Sequence, residues 1–226
     1  MRVATIILNR NLPKPTNDLV KHIKKYNPDH KDIYVLEAGS LKSNLSKYVT
    51  WHANSKDVMK NGLRYCRGMN LALFNLYNEG KFEKYDAFFL LTNDTELQKT
   101  NTINKLVSLL KKHPRLGLIS PSSKDWGENK LLKAQKIMYF WYVHNNAYMI
   151  RREMIEDLMI KNPKSPEQFL FDGSNFRGFL ADLEIIMKGY LNSWASGITS
   201  ICYATENESH LIDKSHLIKT ESYDTN

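Results

Sequence analysis

Two groups of acidic residues stand where an apolar stretch of the sequence gives way to polar residues. In the first, the apolar run 88–91 ends in Thr92, Asn93 and Asp94. This pattern is typical of a buried strand that breaks into a loop. Ligands of open α/β sheets bind at that edge, and a hard divalent cation bridging phosphates needs only one or two carboxylates besides water. Asp94 is therefore the candidate metal ligand; the alternative is that residues 93–95 only turn the chain or cap the next helix.

The second acidic group opens a predicted helix near residue 181. Its helical phase predicts that Leu183, Ile186 and Met187 face inward, and it places Asp182 in the first turn. The helix dipole favours the ionised form of a carboxylate there, which is the form that a general base needs. The alternative is an ordinary acidic residue at a helix start.

Length and composition restrict the class of protein. With 226 residues, of which 42% are hydrophobic and 11% aromatic, the chain can bury one full core, so we expect a single domain over residues 1–226. Cys66 and Cys202 lack metal-type spacing, and the first predicted strand is not preceded by a signal peptide. Both features favour reduced thiols in a cytoplasmic protein. The apolar runs are too short to span a bilayer, which leaves only peripheral membrane contact.

The formal net charge of +8 predicts a surface that attracts anions. Nucleic acid, anionic lipid and a nucleotide diphosphate are all compatible with it. The basic residues are dispersed and the aromatic residues lie mostly inside apolar runs, whereas a single-strand nucleic-acid platform interleaves the two. We therefore predict no nucleic-acid partner, and keep a non-catalytic basic anion-binding protein as the alternative function.

The hydrophobic periodicity predicts alternating strands and helices, which is the α/β pattern. Strands are predicted at residues 3–8, 32–36, 48–52, 88–91, 116–121, 137–143 and 147–150, and helices at 17–25, 69–77, 102–112, 151–159 and from about 181. Pro13 and Pro15 are expected to hold a loop open after the first strand. Because right-handed crossovers bring parallel strand ends to one edge, Asn9, Glu37 and Asp94 should lie close together.

Residues 62–70 lead into the second predicted helix. Arg67 and Asn70 are three residues apart, so they share a face that could hold phosphate or ribose; an ordinary solvated face is the alternative. The segment 9–13 after the first strand is not a glycine-rich phosphate loop. Its absence argues against a Rossmann dehydrogenase and against a nucleotidyltransferase, which is a further alternative on a similar fold.

Several stretches, taken in order, resemble the family 2 glycosyltransferases of GT-A fold, and most closely their rhamnosyltransferase-like branch. They are the first strand with Asn9 and Arg10, residues 37–40, 62–70, 90–96 and 146–153, and the pair 171–172 with 181–184. The resemblance covers roughly residues 3–205. It implies a Rossmann-like, mostly parallel central sheet flanked by helices, with a nucleotide-binding half at 1–100, an acceptor and catalytic half at 101–205 and a polar tail at 206–226.

The resemblance also implies an activity. A sugar would pass, with inversion, from a nucleotide-diphosphate donor to an acceptor hydroxyl of a glycan. Asp94 would hold Mn²⁺ or Mg²⁺ against the diphosphate, and Asp182 would be the catalytic base. Glu37 would accept a hydrogen bond from the imino N–H of uracil or thymine, which favours UDP- or dTDP-sugars. The remaining residues implied to face the nucleotide are Asn9, Arg10, Arg67, Asn70 and Asn93.

Three departures from the family pattern concern the same site. Thr92 stands where the family has Asp or Asn, which predicts a weaker first metal ligand. Ala181 stands where the family usually has Glu, and only His210 lies near the position of a late metal-binding histidine. The segments expected to select the acceptor are residues 144–167 and those beyond 205.

Overall fold

The computed structural model describes residues 1–124, 128–132, 136–167, 169–175, 178 and 180–207. The strands are β1 Val3–Asn9, β2 Ile33–Ala38, β3 Val49–Ala53, β4 Ala87–Thr92, β5 Thr95–Leu97, β6 Leu116–Ser122, β7 Ile137–Tyr139, β8 Ala147–Arg151 and β9 Ala195–Glu206. The α-helices are α1 Pro13–Tyr26, α2 Lys56–Asn61, α3 Arg64–Asn78, α4 Thr102–Lys112, α5 Glu128–Leu132, α6 Arg152–Leu158 and α7 Ala181–Leu191. His210 and the tail 209–226 lie outside the described residues.

The strands form one mixed sheet in the order β3-β2-β1-β4-β8-β6-β9, with β5 and β7 both paired to β9. β1 runs parallel to β2 and β4, and β6 runs parallel to β9. β8 lies antiparallel between β4 and β6. Because β8 runs opposite to β4, the residues that precede β8 lie at the same sheet edge as the loop that follows β4.

Helices cover both faces of the sheet, as a buried parallel sheet requires. On β4, Phe88 and Leu90 join an apolar cluster with α3, α6 and α7, whereas Phe89 and Leu91 join a second cluster with α1 and α4. The two clusters exist because successive side chains of a strand point to opposite faces. The buried β4 therefore fixes the position of the loop that carries Asp94.

The predicted α/β class with a mostly parallel sheet flanked by helices is confirmed. The predicted helix at 102–112 has the observed bounds of α4. The predicted loop around Pro13 and Pro15 is wrong, because both prolines lie in the first turn of α1. The first turn of a helix needs no backbone N–H donor, so proline fits there.

Other bounds and burial patterns also differ from the prediction. β7 is shorter than the predicted strand at 137–143, and β5 and β9 were not predicted. In α7, Met187 is 59% exposed while Ile185 is buried. The predicted inward face of α7 is therefore wrong in phase. The observed buried face runs through Ala181, Asp182, Ile185 and Ile186, so Asp182 belongs to the buried side.

The turn after β2 has a backbone that only glycine fits. Gly39 has a φ of +91°, and a Cβ built on it would lie 2.2 Å from the carbonyl oxygen of Val58 in α2. A larger residue would meet both a strained dihedral and a backbone clash. This close approach holds α2 against the end of β2.

Among the described residues, no helix is both long enough and apolar enough to cross a bilayer.

Candidate active site

A buried chain of polar side chains joins the ends of β1, β2 and β4. Asn93 Nδ2 donates to Asn9 Oδ1 at 2.7 Å, and Asn9 Nδ2 donates to Glu37 Oε2 at 2.8 Å. The structure thus brings together three residues that the sequence assigned to one edge. These hydrogen bonds satisfy groups that would otherwise be costly to bury.

Glu37 is fully buried, with 0% of its surface exposed. Besides Asn9, its carboxylate accepts hydrogen bonds from Ser40 Oγ at 2.5 Å and from the backbone N–H of Ser46 at 2.7 Å. In this arrangement Glu37 holds the loop after β2 and presents no surface to a nucleobase. Its predicted contact with the base stays a prediction, and it requires Ser40 or Ser46 to move.

Arg10 packs against the turn that follows β2 and the C-terminal end of α2. Its Nε donates to the carbonyl oxygen of Gly39 at 3.4 Å, and one terminal nitrogen donates to that of Met59 at 3.1 Å. Its other terminal nitrogen, Nη1, is buried without a partner. Burial, with a smaller contribution from Arg64, lowers the pKa of Arg10 to about 10. Arg10 lies at the predicted edge, with one donor group still unused.

Arg67 and Asn70 do share a face of α3, but that face binds protein. Arg67 Nε donates to the carbonyl oxygen of Gly173 at 2.7 Å. Asn70, 0% exposed, donates to the carbonyl oxygens of Glu167 and Phe171 and accepts from the N–H groups of Leu170 and Phe171. The amide of Asn70 thus holds the segment that leads to α7, and its nucleotide contact stays a prediction.

Asp94 lies half-exposed in the loop after β4. Thr92 Oγ1 donates a short hydrogen bond to its carboxylate, so Thr92 orients Asp94. The backbone N–H of Asn207 donates to the carbonyl oxygen of Asp94 at 2.9 Å. The end of β9 thus fixes this loop from the opposite side.

Asp94 and Asn93 line a cleft of about 420 Å³, a usual size for a small-molecule site. Lys14 and Lys99 bring positive charge to the cleft, and Glu96 brings a second carboxylate. No group of three or more His, Cys, Asp or Glu suited to a metal occurs in the part of the chain that the structure describes. The donor set therefore fits Mg²⁺ or Mn²⁺ held by one or two carboxylates together with phosphate and water, not a closed protein cage.

Asp182 lies in the first turn of α7 and is 6% exposed. Burial raises its pKa, although hydrogen bonds from the backbone and from Asn145 and the charge of His144 act the other way. The expectation from the helix dipole alone is therefore wrong in direction. Just before this turn, Leu180 adopts a left-handed backbone with a φ of 65°, a strain of the kind found at functional sites.

The two neighbouring carboxylates have structural partners. Glu184 accepts hydrogen bonds from the Asp172 N–H at 2.8 Å and, at a short distance, from Lys188 Nζ. Asp172 accepts from Asn175 Nδ2 at 2.6 Å and from the N–H groups of Ser174 and Asn175, and these bonds lower its pKa. The side-chain partner of Asp182 is instead Asn145, from the segment that precedes β8.

A three-residue segment before β8, here named the 144–146 bridge, connects the two candidate carboxylates. Asn145 Nδ2 donates to Asp182 Oδ1 at 3.3 Å. The carbonyl oxygen of Asn146 accepts from Thr92 N at 3.0 Å and from Thr95 Oγ1 at 2.6 Å. The sequence placed residues 146–153 in a family motif and 144–167 in acceptor selection but did not link them to Asp182, because it could not show that β8 enters the sheet antiparallel at this edge.

The fold and this edge define a class of α/β protein whose ligands bind outside the carboxyl ends of parallel strands. Neither a protein-family model nor a curated protein matches the chain. Solved structures of glycosyltransferases share its fold. A mannosyltransferase from Pyrobaculum calidifontis in complex with GDP-Man and Mn²⁺ matches with a TM-score of 0.65 at 12% identity, covering 95% of this chain and 58% of that chain.

Two further structures give similar matches. TarS from S. aureus has a TM-score of 0.63 at 14% identity, covering 92% of this chain and 37% of its own. GalNAc-T7 with UDP, GalNAc and Mn²⁺ has a TM-score of 0.59 at 13% identity, covering 91% and 44%. This chain thus spans between 37% and 58% of the three chains that it matches. At these identities the likeness concerns the fold alone.

Proposed function

We propose that this chain is a metal-dependent glycosyltransferase that moves a sugar from a nucleotide-diphosphate donor to an acceptor hydroxyl of a glycan. The observation that carries the proposal is the 144–146 bridge. Through it, Asp94 in an open cleft and Asp182 in a buried helix start are held at one sheet edge by consecutive residues. The shared fold with enzymes solved in complex with GDP-Man or UDP and Mn²⁺ supports the donor class.

In this proposal, residues 93–99 and the first turns of α1 form the donor side. Asp94, aided by Glu96, would hold the divalent ion, and Lys14 and Lys99 would offset the charge of the diphosphate. A bound Mn²⁺ or Mg²⁺ supplies a positive charge that stabilises the leaving diphosphate. Thr92 contributes by fixing the direction of the Asp94 carboxylate.

Asp182 would remove the proton of the acceptor hydroxyl. A base works best when its pKa lies near the working pH, and burial moves the pKa of Asp182 upward from the usual range of an aspartate. Asn145 holds one carboxylate oxygen at 3.3 Å. In the proposed reaction the acceptor hydroxyl donates to this carboxylate and attacks the sugar from the side opposite the leaving diphosphate, which gives an inverting transfer.

The proposal divides the domain by role. Residues 1–100 form the nucleotide-binding half and residues 101–205 the acceptor and catalytic half. For the base, UDP or dTDP is preferred, on the view that Glu37 is released to the imino N–H when Ser40 or Ser46 shifts on binding.

Calorimetric titration with UDP, dTDP and GDP, each with and without Mn²⁺, tests the proposal. We expect UDP or dTDP to bind in the presence of Mn²⁺ and to bind much more weakly without it. Tighter binding of GDP would overturn the base preference and leave the transferase class standing. Metal-independent binding of any polyanion, lost as salt is added, would instead support the basic anion-binding alternative.

A further inference from the structure

A second buried acidic side chain lies behind the 144–146 bridge. Glu128, in the first turn of α5, pairs with the ring Nε2 of His144 at a short distance, and its Oε1 also accepts from the Ser123 N–H at 3.3 Å. The side chains of Glu128 and His144 are only 5% and 7% exposed. No residue proposed to bind the donor takes part in this pair.

Burying such a pair costs free energy of hydration, so a buried pair of this kind suggests a role beyond stability. Two charges taken out of water lose hydration that their mutual attraction often fails to repay, so apolar residues at the same positions are frequently as stable or more so. The pair also anchors the bridge at its first residue. From there Asn145 reaches Asp182, and Asn146 reaches Thr92 and Thr95.

We propose that Glu128 and His144 are positioning residues for Asp182: their buried, hydrogen-bonded pair fixes the bridge from which Asn145 reaches the proposed base. The inference rests on the proposed role of Asp182. Glu128 holds His144, His144 anchors the bridge, and Asn145 sets the direction of the Asp182 carboxylate.

The groups that face Asp182 support this assignment. Tyr65 from α3, Tyr148 from β8 and Tyr142 from the segment between β7 and β8 all interact with its charge. Burial raises the pKa of each of these tyrosines, so they stay neutral. Asn145, held by the bridge, supplies a side-chain hydrogen bond that acts to lower the pKa of Asp182 against the effect of burial.

The test is a pH titration of Asp182 itself, which needs no substrate. Protein labelled with [γ-¹³C]aspartate is titrated by NMR, and the Asp182 signal is identified by its loss in Asp182→Asn. We expect the pKa of Asp182 to rise in both His144→Gln and Glu128→Gln, because each variant weakens the buried pair, releases the bridge and loosens the hydrogen bond by which Asn145 lowers that pKa. His30→Gln is the matched control, because exposed His30 contacts Asn104 at 2.7 Å, away from the site.

A folded His144→Gln or Glu128→Gln variant in which Asp182 titrates as in the wild type would overturn the proposal and reduce the pair to packing. If a single variant fails to fold, the double variant Glu128→Ala/His144→Ala removes the pair without leaving one buried partner behind, and the same rise is expected. Titration of the wild type and of each variant with UDP and Mn²⁺ distinguishes a failure of the proposed function from a failure of the Glu128–His144 proposal. Absence of binding in the wild type would refute the proposed function, whereas the effect of the pair on Asp182 would still be measured.

Discussion

At the scale of single residues, Asp94 and Asp182 differ in their surroundings, and the difference suits two roles. Asp94 is half-exposed in a cleft with lysines nearby, which is a place for an ion that keeps water and phosphate ligands. Asp182 is almost fully buried, and its pKa is raised by that burial. A carboxylate in the second setting gives up its hydration and becomes a stronger base.

Replacing Asp94 tests the ion site. We expect Asp94→Ala to abolish Mn²⁺-dependent binding of UDP, measured by calorimetry, because the ion loses its main protein ligand. The free energy of unfolding should change by less than about 1 kcal/mol, since the side chain is partly solvated. Asp29→Ala is the matched control, because exposed Asp29 lies outside this cleft. Unchanged Mn²⁺ dependence in Asp94→Ala would remove Asp94 from the site.

Replacing Asp182 tests the base. Asp182→Asn keeps the shape of the side chain and removes its basicity, so we expect UDP binding to persist and the transfer rate to fall at least about a hundredfold. Asp172→Asn should transfer sugar normally, because Asp172 only caps its own turn. Normal transfer by Asp182→Asn together with an inactive Asp172→Asn would move the base to Asp172.

For Asp182→Asn and Asp172→Asn we expect opposite dependences of stability on pH. The pKa of Asp182 is raised by folding, so its stabilising contribution is complete below about pH 4, the pKa of an unfolded aspartate, and is lost as pH rises through the folded pKa. The pKa of Asp172 is lowered, so its contribution is present above that value and lost as pH falls. In urea unfolding, Asp182→Asn should gain stability relative to the wild type as pH rises above about 4, whereas Asp172→Asn should lose stability relative to the wild type as pH rises from about 2.5 to 4. Parallel curves would contradict both pKa directions.

At the scale of elements, the sequence predicted most of the parts that lie near Asp94. Strands β1, β2 and β4 and helix α4 follow clear apolar periodicities, and their strand ends meet as expected at Asn9, Glu37 and Asn93. The phase of α7 was not predictable, because Met187 and Leu191 are apolar yet exposed. The antiparallel entry of β8 was not predictable either, because direction within a sheet leaves no local pattern in a strand.

Asn70 makes a contact that joins two elements of the fold. Its amide holds the backbone of residues 167–171, so it ties α3 to the segment that leads to α7 and Asp182. We expect Asn70→Ala to lower the free energy of unfolding by about 3 kcal/mol, since it leaves several buried backbone groups unpaired. Asn75→Ala, on the same helix, is the matched control and should change stability little. A loss as small as that of the control would mean that the segment finds other partners.

At the scale of the whole molecule, the net charge of +8 could attract many anions, so binding by itself identifies no function. A transferase differs from a general anion binder because its binding of the metal and its binding of the nucleotide depend on each other. General attraction to a basic surface is screened by salt and needs no metal. A metal bridge between a carboxylate and a diphosphate needs both ligands at once.

We therefore expect the thermal midpoint to rise when UDP and Mn²⁺ are added together, and to rise little with either alone. A ligand that binds only the folded state at about a hundred times its Kd stabilises it by about 2.7 kcal/mol, which is readily measured by differential scanning fluorimetry. The rise should survive added potassium chloride, because the bridge is local and partly shielded from solvent, whereas stabilisation by a polyanion such as heparin should fade. Asp94→Ala should lose the joint effect of UDP and Mn²⁺ and keep the response to heparin. If UDP alone raised the midpoint as much as UDP with Mn²⁺, and salt removed both effects, the surface charge would explain the binding and the transferase proposal would fall.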